Sequence, residues 1–203
     1  MLENLGSQII SGVLAFSMLL FSNVKGNSPE FKNLNLSLTP SYLYLNADLS
    51  SAFENDFPVL FSSGQEIPIH YKVNIKSRGK EVYVRKHSHK VSFDTITGVY
   101  TLAKSSSERK YHTHSMDDLI RELGKVRLSI PYQKSWNTIS VELEASLPKL
   151  SFDEEDRETD LMAFWRFKKP KIKTKLNIKN IEKYKRSAKL ELREEIPAPL
   201  KAG

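Results

Sequence analysis

The segment that decides the fold is residues 67–75, IPIHYKVNI. Ile67, Ile69, Tyr71, Val73 and Ile75 take every second position, with His70, Lys72, Asn74 and Lys76 alternating on the other side. Successive side chains of a strand leave opposite faces, so this pattern is a strand with one face on a core and one in water. One-sided burial of that kind is typical of antiparallel sheets, because parallel strands are covered on both faces. Ser77-Arg78-Gly79 is a turn. Beyond it Val82 and Val84, then Val91 and Phe93, fall on opposite parities, so a bulge near Lys86 is needed to bring all four inside. Residues 95–98 turn the chain back into a strand over 99–104, completing an antiparallel meander.

Working toward the N-terminus, Leu34, Leu36 and Leu38 alternate with polar residues, Thr39-Pro40-Ser41 interrupts, and Leu43, Leu45, Ala47 and Leu49 resume the alternation. Ser51 and Glu54 have the spacing of a capping box, and Phe53, Phe57, Leu60 and Phe61 fall on one helical face. Pro58 inside that helix calls for a kink, and Ser63-Gly64 for a stop. Toward the C-terminus, residues 104–114 are polar and read as a loop. Ser115 with Asp118 caps a second helix bearing Met116, Leu119, Ile120 and Leu123 on one face and ending at Gly124. Val126, Leu128 and Ile130 mark a short strand, and residues 136–145 a last one with Ile139, Val141, Leu143 and Ala145 facing in. The reading is a mainly β, α+β fold: an antiparallel sheet or sandwich-like domain over residues 31–150 with two short helices.

The order SSGQEIPIHYKVNIKSRG, SFDTITGVYTL, SMDDLIRELGKVRLSI and VELEASLPKL, spread over residues 31–150, resembles a bacterial exported-protein family catalogued as domain of unknown function 4390. The resemblance implies export and a β-rich domain. It carries over no catalytic residue.

The first thirty residues speak to compartment. No charged side chain lies between Asn4 and Val24, and residues 9–21, IISGVLAFSMLLF, have the length of the apolar part of an export signal. Residues 1–26 therefore read as a signal peptide cut after Gly26 or as a retained membrane anchor, twenty-one uncharged residues being just enough to span a bilayer; an ordinary buried helix is the third reading. No basic residue precedes Lys25, which departs from the usual signal pattern. Either leading reading places the domain in the periplasm or against the membrane of a bacterial cell envelope.

The 203 residues carry a net charge of +7 and no cysteine. Lacking cysteine, the chain has no disulfide frame, thiolate-bound metal, thiol nucleophile or acylated lipoprotein anchor. The positive excess is local. Between positions 166 and 193 there are 12 Lys and Arg against Glu182 and Glu191, and just upstream residues 153–160 hold six carboxylates and Arg157. Residues 151–203 thus read as an acidic-then-basic extension. Within it Phe164, Trp165 and Phe167 stand among Arg166, Lys168 and Lys169, and Ile172, Thr174, Leu176 and Ile178 alternate with Lys171, Lys173, Lys175 and Lys179. Aromatic rings beside cations suit a partner chain or an anionic lipid surface. Rings capping the core, followed by a lysine-bearing edge strand, is the plainer alternative. Nucleic acid is a poor partner for an exported chain.

Two His-x-His pairs, His87/His89 and His112/His114, are the one metal-like spacing, since residues i and i+2 of a strand share a face. A third ligand would come from His70, Asp94 or the other pair. The plain reading puts His87 and His89 on the solvent side of a strand. There is no Gly-x-Ser-x-Gly and no His-Glu-x-x-His, and the eight glycines never form Gly-x-Gly, so no catalytic constellation, phosphate loop or cofactor is legible. The function expected is that of a non-catalytic accessory or adaptor protein binding another protein through a sheet edge or the extension, with a membrane-surface binder and a histidine metal protein as alternatives.

Overall fold

The computed structural model describes residues 24–151 and 158–178. The apolar stretch up to residue 23, most of the acidic run and the chain beyond Ile178 lie outside the described residues, and with them the readings made for those segments.

The fold is mainly β, and every strand pairing in it is antiparallel. Strands β1 (Glu30–Leu38) and β2 (Tyr42–Ser50) form a hairpin completed by β7 (Lys125–Pro131) into a three-stranded sheet. The larger, six-stranded sheet takes the order β11-β8-β3-β4-β5-β6. Its members are β3 (Ile67–Ser77), β4 (Lys80–Asp94), β5 (Val99–Lys104), β6 (Tyr111–Thr113), β8 (Thr138–Ser146) and β11 (Lys171–Asn177). A small ribbon pairs β9 (Lys149–Ser151) with β10 (Glu158–Asp160). The inner faces of both large sheets meet in one core: Leu43, Leu45, Val126 and Ile130 from one, Ile67, Ile69, Tyr71, Val73, Ile75, Val141 and Leu143 from the other, all without exposure. The alternating pattern of residues 67–75 sits where it was read, in a strand flanked on both sides.

Helix α1 (Phe57–Phe61) is shorter than the capping box suggests. Ser51 takes a left-handed conformation (φ 51°), the following residues are irregular, and Pro58 sits in the first turn, where its fixed φ and missing N–H suit helix initiation. It starts the helix instead of kinking it. The apolar set is unaffected: Phe53, Phe57, Leu60 and Phe61 are all buried, with Phe53 edge-on to Phe57. Helix α2 (Met116–Leu123) has the cap read from sequence, the Asp118 N–H donating to Ser115 Oγ at 3.2 Å. The polar segment before it contains the short strand β6.

β4 corrects a second expectation. It runs unbroken for 15 residues, and its bulge lies at Val82, opposite Ile75 and Lys76, not near Lys86. Holding Val91 inside commits the odd-numbered residues to the core side, so Val82 and Val84 are left exposed, while Tyr83 and His89 turn inward.

The segment read as an extension joins the body. Residues 161–165 make a 3₁₀ turn that buries Phe164 and Trp165 completely, and the Trp165 Nε1–H donates to the Ala52 carbonyl at 2.8 Å. β11 then pairs with β8 along its whole length as the edge of the large sheet. This is the edge-strand alternative, with Ile172 and Leu176 leaning on the core and the lysines facing out.

Candidate functional site: a basic outer sheet face

Because β11, β8, β3 and β4 are in fixed register, their outward residues form rows across the sheet. One row reads Lys171, Glu144, Lys72, Lys86; the next Lys173, Glu142, Asn74, Val84; a third Lys175, Ser140, Lys76, Glu81; a fourth Ser146, His70, Ser88. The centre of this face is partly neutralised. Lys171 Nζ lies 2.6 Å from Glu144 Oε2, and that contact raises the lysine pKa. Lys72 and Lys86 stand directly opposite each other, an arrangement unfavourable for like charges.

The two ends of the face are concave and positive. At one end a shallow groove of about 580 Å³ is lined by Lys76, Arg78, Lys173 and Lys175 together with Thr138, Ser140 and Asn177. No carboxylate lines it. Arg78 is held there by a two-residue turn in which Arg78 and Gly79 both have positive φ (50° and 80°), the geometry that matches strand twist. Ser140 Oγ, at the groove wall, is buried without a hydrogen-bond partner.

At the other end a groove of about 360 Å³ is lined by His70, Lys86, Lys149 and Lys169, with Asp160, Met162 and Phe167 beside them. Asp160 is engaged locally, its Oδ1 accepting the Met162 N–H at 2.9 Å. Burial first, and the Lys86 ammonium second, hold the His70 imidazole below its ordinary pKa, and its Nδ1 is buried without a partner. Ser140 and Ser146 mark the two ends on β8 and are six residues apart, about 20 Å along an extended strand.

The extension residues singled out from the sequence therefore divide. Phe164 and Trp165 are core residues and present no surface, a correction to their candidacy as contact residues. Phe167 is 68% exposed, and Arg166, Lys168, Lys169, Lys171, Lys173 and Lys175 are exposed around and beyond it.

The histidines divide as well. His87 and His89 face inward from β4, the reverse of the solvent-side reading; His89 is 1% exposed and its ring packs on Tyr71. Burial, then the charge of Lys104, pushes its pKa down to about 3 against a weaker contribution from the Leu123 carbonyl. His87, lowered by burial and by Arg85, approaches Tyr83 Oη at 3.4 Å. His112 Nδ1 contacts Thr101 Oγ1 at 3.0 Å, and His114 Nδ1 donates to the Gly98 carbonyl at 3.1 Å. Asp94 caps the β4–β5 turn, accepting from the Ile96 and Thr97 N–H groups. Among the described residues no three His, Asp or Glu side chains are gathered to hold a metal ion.

Sequence reasoning missed Lys76, Arg78, Lys86 and Lys149 as members of the two grooves. The signal available was parity: Lys72 and Lys76 were already on the wet face, but which lysines stand beside them depends on strand order. No family model, curated protein or solved structure matches this chain.

Proposed function

We propose that this chain is a non-catalytic binding domain of a bacterial cell envelope that docks an acidic segment of another protein in the groove formed by Lys76, Arg78, Lys173 and Lys175. The observation that carries the reading is that groove itself: four cations on β3, β11 and the turn after β3, with no carboxylate among the lining residues and Glu81 standing 3.9 Å from Lys76. Cations spaced by a rigid sheet favour an extended acidic partner, whose carboxylates meet them at strand spacing. Export is supported by the uncharged apolar stretch between Asn4 and Val24 and by the family resemblance of the sequence.

The test is affinity capture from an envelope fraction with the full chain and with a Lys173→Glu/Lys175→Glu variant. Both positions are exposed, and circular dichroism checks that reversing the charge of Lys173, which faces Glu142, leaves the sheet formed. A partner retained by the parent chain and lost from the variant supports the reading; the same proteins retained by both contradict it. Raising salt from about 0.1 M to about 1 M, which shortens the screening length from about 10 Å to about 3 Å, weakens the charge-directed part of the contact.

A further inference from the structure

We propose that the opposite end of the body, around Phe167, rests on an anionic membrane surface, with the phenyl ring among the upper acyl carbons and Lys86, Lys149, Lys168 and Lys169 against lipid phosphates. Three separate observations converge on this end of the molecule.

The first is how Phe167 is presented. Arg166 and Phe167 are consecutive non-glycine residues at φ 49° and 57°, a left-handed conformation that side chains disfavour. The turn is fixed by backbone bonds from Arg166 to Ala163, from Phe167 to Met162 and from Lys168 to Trp165, at 2.8–2.9 Å. Its effect is to separate the three aromatic residues, Phe164 and Trp165 entering the core and Phe167 standing 68% exposed. A single exposed phenyl is unremarkable by itself. A phenyl held out by a strained turn and flanked by Lys168 and Lys169 has the make-up of a bilayer interface anchor.

The second is the groove beside it. His70, Lys86, Lys149 and Lys169 line it, Lys149 pairing loosely with Glu158 at 3.6 Å and Asp160 being committed to its turn. The ammonium groups of Lys86, Lys149 and Lys169 offer donors to an anion, and a lipid phosphate next to an inserted phenyl satisfies both features at once.

The third is where the apolar N-terminal stretch enters the body. The Asn27 N–H and Nδ2 both donate to the Phe164 carbonyl, at 2.8 and 3.2 Å, and an Arg166 guanidinium nitrogen donates to the Lys25 carbonyl at 3.0 Å. Asn55 Nδ2 donates to the Gly26 carbonyl at 2.9 Å. Gly26 has φ 68°, and a Cβ on it would lie 2.9 Å from the Arg166 side chain, so the segment is fitted to this turn. A stretch able to lie in a bilayer thus joins the body within a residue or two of the turn that exposes Phe167. A retained stretch would hold this end at the membrane, with the groove of the proposed protein partner about 20 Å away at the other end of the same sheet face.

The test uses the full chain carrying Phe167→Trp, reconstituted in vesicles with brominated acyl chains, the parent supplying the background of the buried Trp136 and Trp165. In vesicles containing phosphatidylglycerol the added emission is quenched several-fold more than in pure phosphatidylcholine, and Lys149→Glu/Lys169→Glu removes the difference. Equal quenching in the two lipids, or none in either, overturns the proposal. So does a shift of the His70 ring resonances by inorganic phosphate without quenching, which would assign the groove to a soluble anion. None of these readouts involves Lys173 or Lys175, so this proposal and the protein-docking one fail separately.

Discussion

The imidazole of His89 lies against the phenol ring of Tyr71, centroids 4.6 Å apart; Tyr71 Oη has no hydrogen-bond partner, and the His89 ring has only a weak approach to the Leu123 backbone. Both residues are buried in the core between the sheets. The neutral ring is tolerated there and the charged one is not, which is why the His89 pKa falls to about 3 and the Tyr71 pKa rises.

This pair makes stability depend on pH. The unfolded chain binds a proton at His89 near pH 6.5 and the folded chain only near 3, so the contribution is complete above pH 6.5 and is lost as pH falls toward 3. The loss approaches about 1.4 kcal/mol per pH unit within that window, with His70 and His87 adding in the same direction at its upper end. Urea denaturation of His89→Leu between pH 7 and pH 4 will show a shallower decline than the parent chain.

Tyr71→Phe removes a hydroxyl that is desolvated and unpaired. It is expected to leave stability unchanged or raise it by about 1 kcal/mol, since no hydrogen bond is lost. A fall of about 2 kcal/mol in chemical denaturation would mean that the hydroxyl is satisfied in solution.

Lys104, at the end of β5, donates to Glu122 Oε1 at 2.7 Å and to the carbonyls of Glu122 and Lys125 at 3.1 and 3.3 Å. Burial alone would raise the Glu122 pKa; hydrogen bonds from Lys104 and Lys125 outweigh that and hold it below the ordinary value. Lys104→Met leaves a partly buried carboxylate with one cation, and is expected to cost about 1–2 kcal/mol at neutral pH. Because Lys104 also depresses the His89 pKa, the same variant should raise it, measured by titration of the ring protons.

Trp165 tests whether the segment after residue 158 is part of the domain. Trp165→Phe leaves the Ala52 carbonyl unpaired and should cost about 1–3 kcal/mol, and Trp165→Ala about 3–5 kcal/mol, both in one cooperative transition. A freely attached extension would show no change in the unfolding midpoint.

Much of this fold is written in alternation. Ile67 to Ile75, Leu43 to Leu49 and Ile139 to Ala145 each declare a buried face by parity, and Ser115 with Asp118 declares a cap. What parity cannot declare is which bulge resets it. Val82 and Val84 looked like core residues because valine is apolar, yet with no bulge between Tyr83 and Val91 the parity set by Val91 gave the inside to Tyr83 and His89. For the same reason His87 and His89 read as solvent-facing and proved to point inward. The charge excess after Arg166 made residues 161–178 look separate, whereas Phe164 and Trp165 fill a space left between the sheets by Phe53 and Phe57. The site was legible only as a list of lysines. Its shape comes from β11 returning to β8, a pairing of strands about thirty residues apart that no local pattern encodes.

Retention of the N-terminal stretch, which the membrane proposal expects, has a direct readout in the mass of the chain extracted from membranes. A mass including the residues before Gly26 agrees with the fit of Gly26 and Asn27 against Phe164 and Arg166. A chain beginning at Asn27 contradicts it.

The central claim, that the groove of Lys76, Arg78, Lys173 and Lys175 docks another protein, is tested most directly by placing a photo-crosslinking side chain at Lys175 in living cells. Ser129, on the outer face of the three-stranded sheet, serves as the control position. The account requires a discrete protein adduct from position 175, lost on Lys76→Glu/Lys173→Glu, and none from position 129. Adducts from both positions alike, or from neither, would contradict it.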